Sequence, residues 1–156
     1  MLSRLRVKNY ALIEEMDLTF GAGLNILTGQ TGAGKSILIG SMNLIIGEKA
    51  STEMVRSGAE EAFVEATFEL AGKVPDLLSS YVRVGEPVLV RRQVIRGGRS
   101  YAFVNDHQVT VGKLKEIGDI LLDLLGQHHH QSLLNVENHR QLLDRFAVDN
   151  ELSQNY

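Results

Sequence analysis

Gly29-Gln30-Thr31-Gly32-Ala33-Gly34-Lys35-Ser36 matches the pattern G-x-x-x-x-G-K-[ST] in full. Residues this small let successive backbone N–H groups turn inward into an anion site with few Cβ atoms in the way. A lysine at the seventh position reaches the β- and γ-phosphates of a nucleotide as a point charge. A serine hydroxyl at the eighth can ligate the Mg²⁺ that bridges them. A helix starting here would add the partial positive charge of its N-terminus. The spacing therefore points to a phosphate loop for ATP or GTP.

Such a loop needs a strand before it and a helix after it. Residues 24–28 (Leu-Asn-Ile-Leu-Thr) form a short apolar run after Gly21 and Gly23, which suits a buried strand. Residues 36–46 place Leu38, Met42 and Ile45 at i, i+4 and i+7, one face of a helix, with Gly47 as its stop. Both flanks agree with the motif.

The remaining chain offers further elements. Residues 2–10 alternate, with Leu5 and Val7 opposite Arg4, Arg6 and Lys8, the pattern of a half-exposed strand. Residues 13–20 repeat it, with a turn around Asn9-Tyr10-Ala11; Tyr10 is read as a packed tyrosine at a strand end. Residues 64–70 alternate again, and Pro75 opens a stretch to Val84 with some helical character. Residues 87–95 and 100–104 are β-rich runs joined by Arg96-Gly97-Gly98-Arg99, which predicts a two-residue hairpin turn. Five arginines (Arg83, Arg91, Arg92, Arg96, Arg99) stand between residues 83 and 99 against one acid, Glu86. Two readings stay open for them: a face toward phosphates, or guards on exposed strands. Thr110 caps a helix that either stops near Gly118, leaving a buried strand at 120–125, or continues through it. His128, His129 and His130 are adjacent, so their side chains diverge and a shared metal is disfavoured. A helical pattern returns from Asn135.

Composition sets the bounds. At 156 residues, with 44% hydrophobic and 22% charged residues, the chain is long enough for one domain with a sizeable core. A net charge of −3 provides no global argument for nucleic-acid binding, and the absence of cysteine excludes disulfides and thiolate metal sites. No run reaches the length of a membrane span and no secretory leader is present, so a soluble cytoplasmic domain is expected.

Several stretches together resemble one family. They are Leu5-Arg6-Val7-Lys8-Asn9-Tyr10-Ala11-Leu12-Ile13, Gly23-Leu24-Asn25-Ile26-Leu27-Thr28-Gly29, Val55-Arg56-Ser57-Gly58-Ala59, Gly98-Arg99-Ser100-Tyr101-Ala102-Phe103-Val104-Asn105 and Leu125-Gly126-Gln127-His128-His129-His130-Gln131-Ser132-Leu133-Leu134. The chain resembles, over essentially its whole length, the N-terminal part of the RecN family of bacterial DNA repair proteins, SMC-like ATPases built on an ABC-type head. Gln30 departs from the glutamate usual there, at a variable position of the loop.

The resemblance implies an α/β fold: a P-loop NTPase of ABC/SMC head type, whose N-terminal lobe has a mixed sheet, antiparallel β-hairpins and a P-loop helix. It implies a lobe over residues 1–146 and the start of a coiled-coil connection over 147–156. ATP and Mg²⁺ are the implied cofactors. Gly29, Gln30, Thr31, Gly32, Ala33, Gly34, Lys35 and Ser36 would hold the phosphates, Arg56 and Asn9 would border the nucleotide, and Tyr10 would lie near its adenine. A strand at 121–125 would deliver Gln127 as a second metal ligand beside Ser36, and Gln127 and Lys35 would take part in catalysis. The signature motif, the Walker B acids and the switch histidine of such heads are not found after Gln127, so the chain is expected to be half of a split head that turns over ATP negligibly alone. Implied partners are DNA, the C-terminal half of the same head and a second copy of the protein, with no membrane and a cytoplasmic, nucleoid-associated location. Two alternatives share the loop: the ATP-binding subunit of another ABC-type system, and a non-catalytic dimerisation module.

Overall fold

The alternating N-terminal run and its successors build the framework. A computed structural model describes residues 1–28 and 33–122, the side chain of Ala33 excepted. Its strands are β1 (Leu2–Tyr10), β2 (Ile13–Thr19), β3 (Glu61–Phe68), β4 (Val88–Ile95), β5 (Ser100–Val104) and β6 (His107–Val109). They form one six-stranded sheet in the order β2-β1-β3-β4-β5-β6. All of its pairings are antiparallel. The parallel component of the expected mixed sheet has no counterpart among the described residues.

One face of the sheet carries the core. Leu5, Val7, Val64, Ala66, Phe68, Val88, Val90, Val94, Ala102 and Val104 are buried, the in-phase positions of their strands. Two helices pack against β3, β4 and β5: α1 (Ala33–Ile45) and α2 (Val111–Leu121). Helix α1 contributes Leu38, Met42, Leu44 and Ile45, and α2 contributes Leu114 and Ile117. Helix α1 ends where Gly47 adopts φ 92, with the Glu48 N–H donating to Asn43 O at 3.0 Å. Thr110 caps α2, its side chain accepting from the Lys113 N–H at 3.1 Å.

Four expectations change. Residues 24–28 are not a buried strand: they make no ladder, and Leu24 is 87% and Ile26 75% exposed. An apolar run becomes a central strand only with neighbours on both edges, and none pairs here among the described residues. Residues 75–84 hold only a single 3₁₀ turn, Asp76–Leu78. Helix α2 runs through Gly118 to Leu121, so Leu121 is helical; residues 123–125 lie outside the described residues. In the β4–β5 hairpin the Gly98 N–H donates to Ile95 O and the Ile95 N–H to Arg99 O. The loop therefore has three residues, and only Gly98 has positive φ, at 89.

The five arginines also separate. Arg92 alternates in phase with Val90 and Val94 and is fully buried. Its Nη2 approaches Glu48 O at 3.4 Å, while Nε and Nη1 have no hydrogen-bond partner. Burial lowers its pKa. Arg96 donates to the carbonyls of Ala59 and Arg56 at 2.7 and 2.8 Å, and Arg91 lies over the ring of Phe103.

Asn105 ties the β5–β6 turn to two other segments. Its Oδ1 accepts from the Leu89 N–H at 2.7 Å and its Nδ2 donates to Tyr81 O at 2.9 Å, at φ 50. Asn105→Ala loses both bonds and keeps a left-handed backbone that alanine disfavours. A loss of about 2–4 kcal/mol is expected in urea unfolding. A midpoint unchanged from wild type would show the clamp to be idle.

Candidate nucleotide site

The site begins at the N-terminus of α1. Gly34, Lys35 and Ser36 occupy its first turn and are exposed. No acid stands in that first turn, so no side-chain carboxylate there competes for the helix N-terminus. A 13-residue helix with lysine and serine at its start is a donor set that suits a phosphate with its Mg²⁺. Gly29, Gln30, Thr31 and Gly32 lie outside the described residues, as do Gln127 and His128–His130.

A second cluster forms at the β1–β2 turn. Asn9 and Ala11 both hold positive φ, 53 and 50, an uncommon backbone for residues other than glycine that neighbouring structure must enforce. Residues 54–56 supply that enforcement. The Ala11 N–H donates to Met54 O at 2.7 Å, the Arg56 N–H donates to Asn9 O at 2.8 Å, and Tyr10 bridges to Val55. The Arg56 guanidinium donates to Leu12 O at 3.2 Å and lies 3.5 Å from Glu14. Asn9 and Arg56, far apart in sequence, are thus joined.

Tyr10 connects this cluster to α1. It is 4% exposed, and burial raises its pKa. Its hydroxyl lies 3.0 Å from where a Cβ on Gly40 would stand. Gly40 is five residues beyond Lys35, about 7.5 Å along the helix axis. The packed reading of Tyr10 holds, and its ring is not a surface for stacking a base.

A cleft of about 610 Å³ opens beside the turn, lined by Ala11, Leu12, Thr52, Glu53, Val55, Ser57 and Arg96. These residues were not legible as a group, because their approach depends on the pairing of β1 with residues 54–56. Among the described residues, no group of three or more His, Asp or Glu side chains could hold a metal by itself. None of their helices is long and apolar enough to cross a membrane.

A family model described as AAA domain matches residues 4–154. The DNA repair protein RecN of Bacillus subtilis (strain 168) is 44% identical over 94% of this chain and 26% of its own length. RecN of Haemophilus influenzae is 38% identical over 97% of this chain and 28% of its own. The chain thus spans about a quarter of the length of the curated relatives it matches. Among solved structures, one described under ATP-driven dimerization and DNA-stimulated activation of SMC ATPases aligns with a TM-score of 0.63 at 17% identity, covering 94% of this chain and 99% of that one. The SMC head domain from Thermotoga maritima aligns at 0.58 and 21% identity, covering 74% of this chain and 41% of that one. At these identities the structural likeness speaks for the fold alone.

Proposed function

The chain belongs to the AAA-domain family and fits an N-terminal piece of a RecN-type protein, and on that premise we propose that it is the ATP-binding lobe of a DNA double-strand-break repair ATPase. The observation that carries the reading is the exposed Lys35–Ser36 pair in the first turn of α1, directly after the G-x-x-x-x-G run. Gly29 to Gly34 would wrap the phosphates with backbone N–H groups, Lys35 would neutralise the β- and γ-oxygens, and Ser36 would ligate Mg²⁺. Bound Mg²⁺ supplies charge neutralisation across the phosphates. Gln127 would add a neutral amide oxygen to the metal and help place the attacking water. Asn9 and Arg56 would border the nucleotide from the β1–β2 turn.

The lobe would span residues 1–146, with 147–156 leading into a coiled coil. Its exposed apolar residues Leu24, Ile26 and Leu27 support a missing cover from the C-terminal half of the same head. That half would contribute the general base and the signature motif. ATP held between two heads would drive homodimerisation, coupled to DNA, in the cytoplasm at the nucleoid.

The test separates binding from turnover. Calorimetric titration of the 156-residue chain with ATP·Mg²⁺ is expected to show weak binding, with hydrolysis at background. Adding the remaining part of the protein should restore turnover. Robust hydrolysis by the chain alone would refute the split-site reading, and absence of any ATP binding by the reassembled protein would refute the nucleotide reading.

A further inference from the structure

The sheet face opposite the helices divides into two halves of different chemistry. On β2, β1 and β3, charges pair across the strands: Arg4 and Arg6 with Asp17, and Arg6 with Glu65 at 3.7 Å. On β4, β5 and β6, the sequences VLVRRQVI, SYAFV and HQV contain no acid. The carboxylates that border this half stand on β3, Glu65 opposite Arg91 in register and Glu61 accepting from Gln93 Nε2 at 2.6 Å. Register places Gln93 beside Tyr101, and Arg91 beside Phe103. Tyr101 and Phe103 are only half-buried, because α1 and α2 pack on the other face. Arg99, one residue before β5, continues the alternation of Tyr101 and Phe103, so cations stand at both ends of the pair of rings.

We propose that this half, Tyr101 and Phe103 flanked by Arg91 and Arg99, is a stacking platform for single-stranded nucleic acid. The spacing fits. Residues two apart on a strand stand about 6.8 Å apart, roughly twice the 3.4 Å rise of a stacked nucleic-acid strand. Unstacked bases can therefore lie one to a ring. The Arg91 guanidinium sits 4.8 Å from the centre of the Phe103 ring, which shows that a planar group reaches that face. When Arg91 swings to a phosphate, the ring is released to a base. Neither Arg91 nor Arg99 is held in an ion pair among the described residues, so both can turn to phosphates, Arg91 from beside its cross-strand neighbour Glu65. An open antiparallel sheet with half-exposed rings and flanking cations reads single strands by stacking, whereas duplex bases present no free face.

The proposal rests on the reading of the chain as part of a DNA-acting ATPase, and its test keeps the two apart. Fluorescence anisotropy of the 156-residue chain with labelled (dT)20 is expected to show binding tighter than to a 20-base-pair duplex. Tyr101→Leu with Phe103→Leu keeps the apolar packing but removes both rings, and should weaken that binding at least about 10-fold. Arg91→Gln should reduce the salt slope by about 0.7. Tyr101→Trp, the only tryptophan in the chain, should be quenched by the oligonucleotide. Unchanged affinity in the double leucine variant, with its thermal melt intact, overturns the platform while leaving DNA action standing. No binding of (dT)20 and no quenching also overturn it, as does binding of protein ligands alone; DNA stimulation of ATP turnover in the complete protein then decides the wider reading separately.

Discussion

Lys35→Ala is expected to lower ATP turnover of the complete protein at least about 100-fold and to weaken ATP binding by about 10-fold. The binding loss follows from removing one charge-assisted contact, worth about 1.5–3 kcal/mol. The larger loss in turnover follows because charge on the transferring phosphoryl group is stabilised by such donors most strongly in the transition state. Lys35 is exposed at a helix start, so its removal should alter the melting temperature little. Lys35→Arg separates charge from shape: the wider planar guanidinium retains the charge but not the compact ammonium that fits between two phosphates. Turnover within threefold of wild type for Lys35→Ala, with ATP binding intact, would remove the phosphate loop from the mechanism.

The second large effect is structural. A Cβ on Gly118 would stand 2.6 Å from the Cα of Ile46 and 2.9 Å from its carbonyl oxygen. The reverse contact is as close, since a Cβ on Gly47 would meet the Lys115 backbone at 2.7 Å. The end of α1 and the middle of α2 therefore touch backbone to backbone. Alanine in a helix ordinarily stabilises by about 1 kcal/mol over glycine. Here the opposing atoms belong to main chain and cannot swing aside, so repulsion outweighs propensity. Gly118→Ala is expected to lose about 2–3 kcal/mol net, a fall of roughly 10 °C in melting temperature by calorimetry. A melting temperature equal to or above wild type would mean that the two helices slide apart at little cost.

Local features were legible in the sequence, and non-local ones were not. The strand at Leu2–Tyr10, the α1 face of Leu38, Met42 and Ile45, and the Thr110 cap all depend on residues within a few positions of each other. The run at 24–28 misled because apolar composition was read as burial, and burial depends on which neighbours exist. Gly118 left helix stop and helix interior equally open in the sequence, because its reason for being glycine, the backbone of Ile46, lies 72 positions away. Arg92 was legible in principle. It shares the phase of Val88, Val90 and Val94, and counting in twos separates it from the exposed arginines around it. The union of Asn9 with Arg56 depends on a bridge between Tyr10 and Val55 that no local pattern announces. The motif predicted a helix starting at its lysine and serine, and α1 does begin there, with Gly34 to Ser36 in its first turn.

The strand order β2-β1-β3-β4-β5-β6 carries a consequence for how the chain reaches its fold. Four of its five neighbouring pairs join strands that follow one another in sequence, three of them across short turns and β3 to β4 across residues 69–87. The longest excursion is that between β1 and β3, and it contains β2 and α1. The cost of loop closure is therefore highest at this junction. Pairing β1 with β3 also closes the segment that carries α1, so the largest loop-closure cost among the described strand pairs falls on the pairing that encloses this helix.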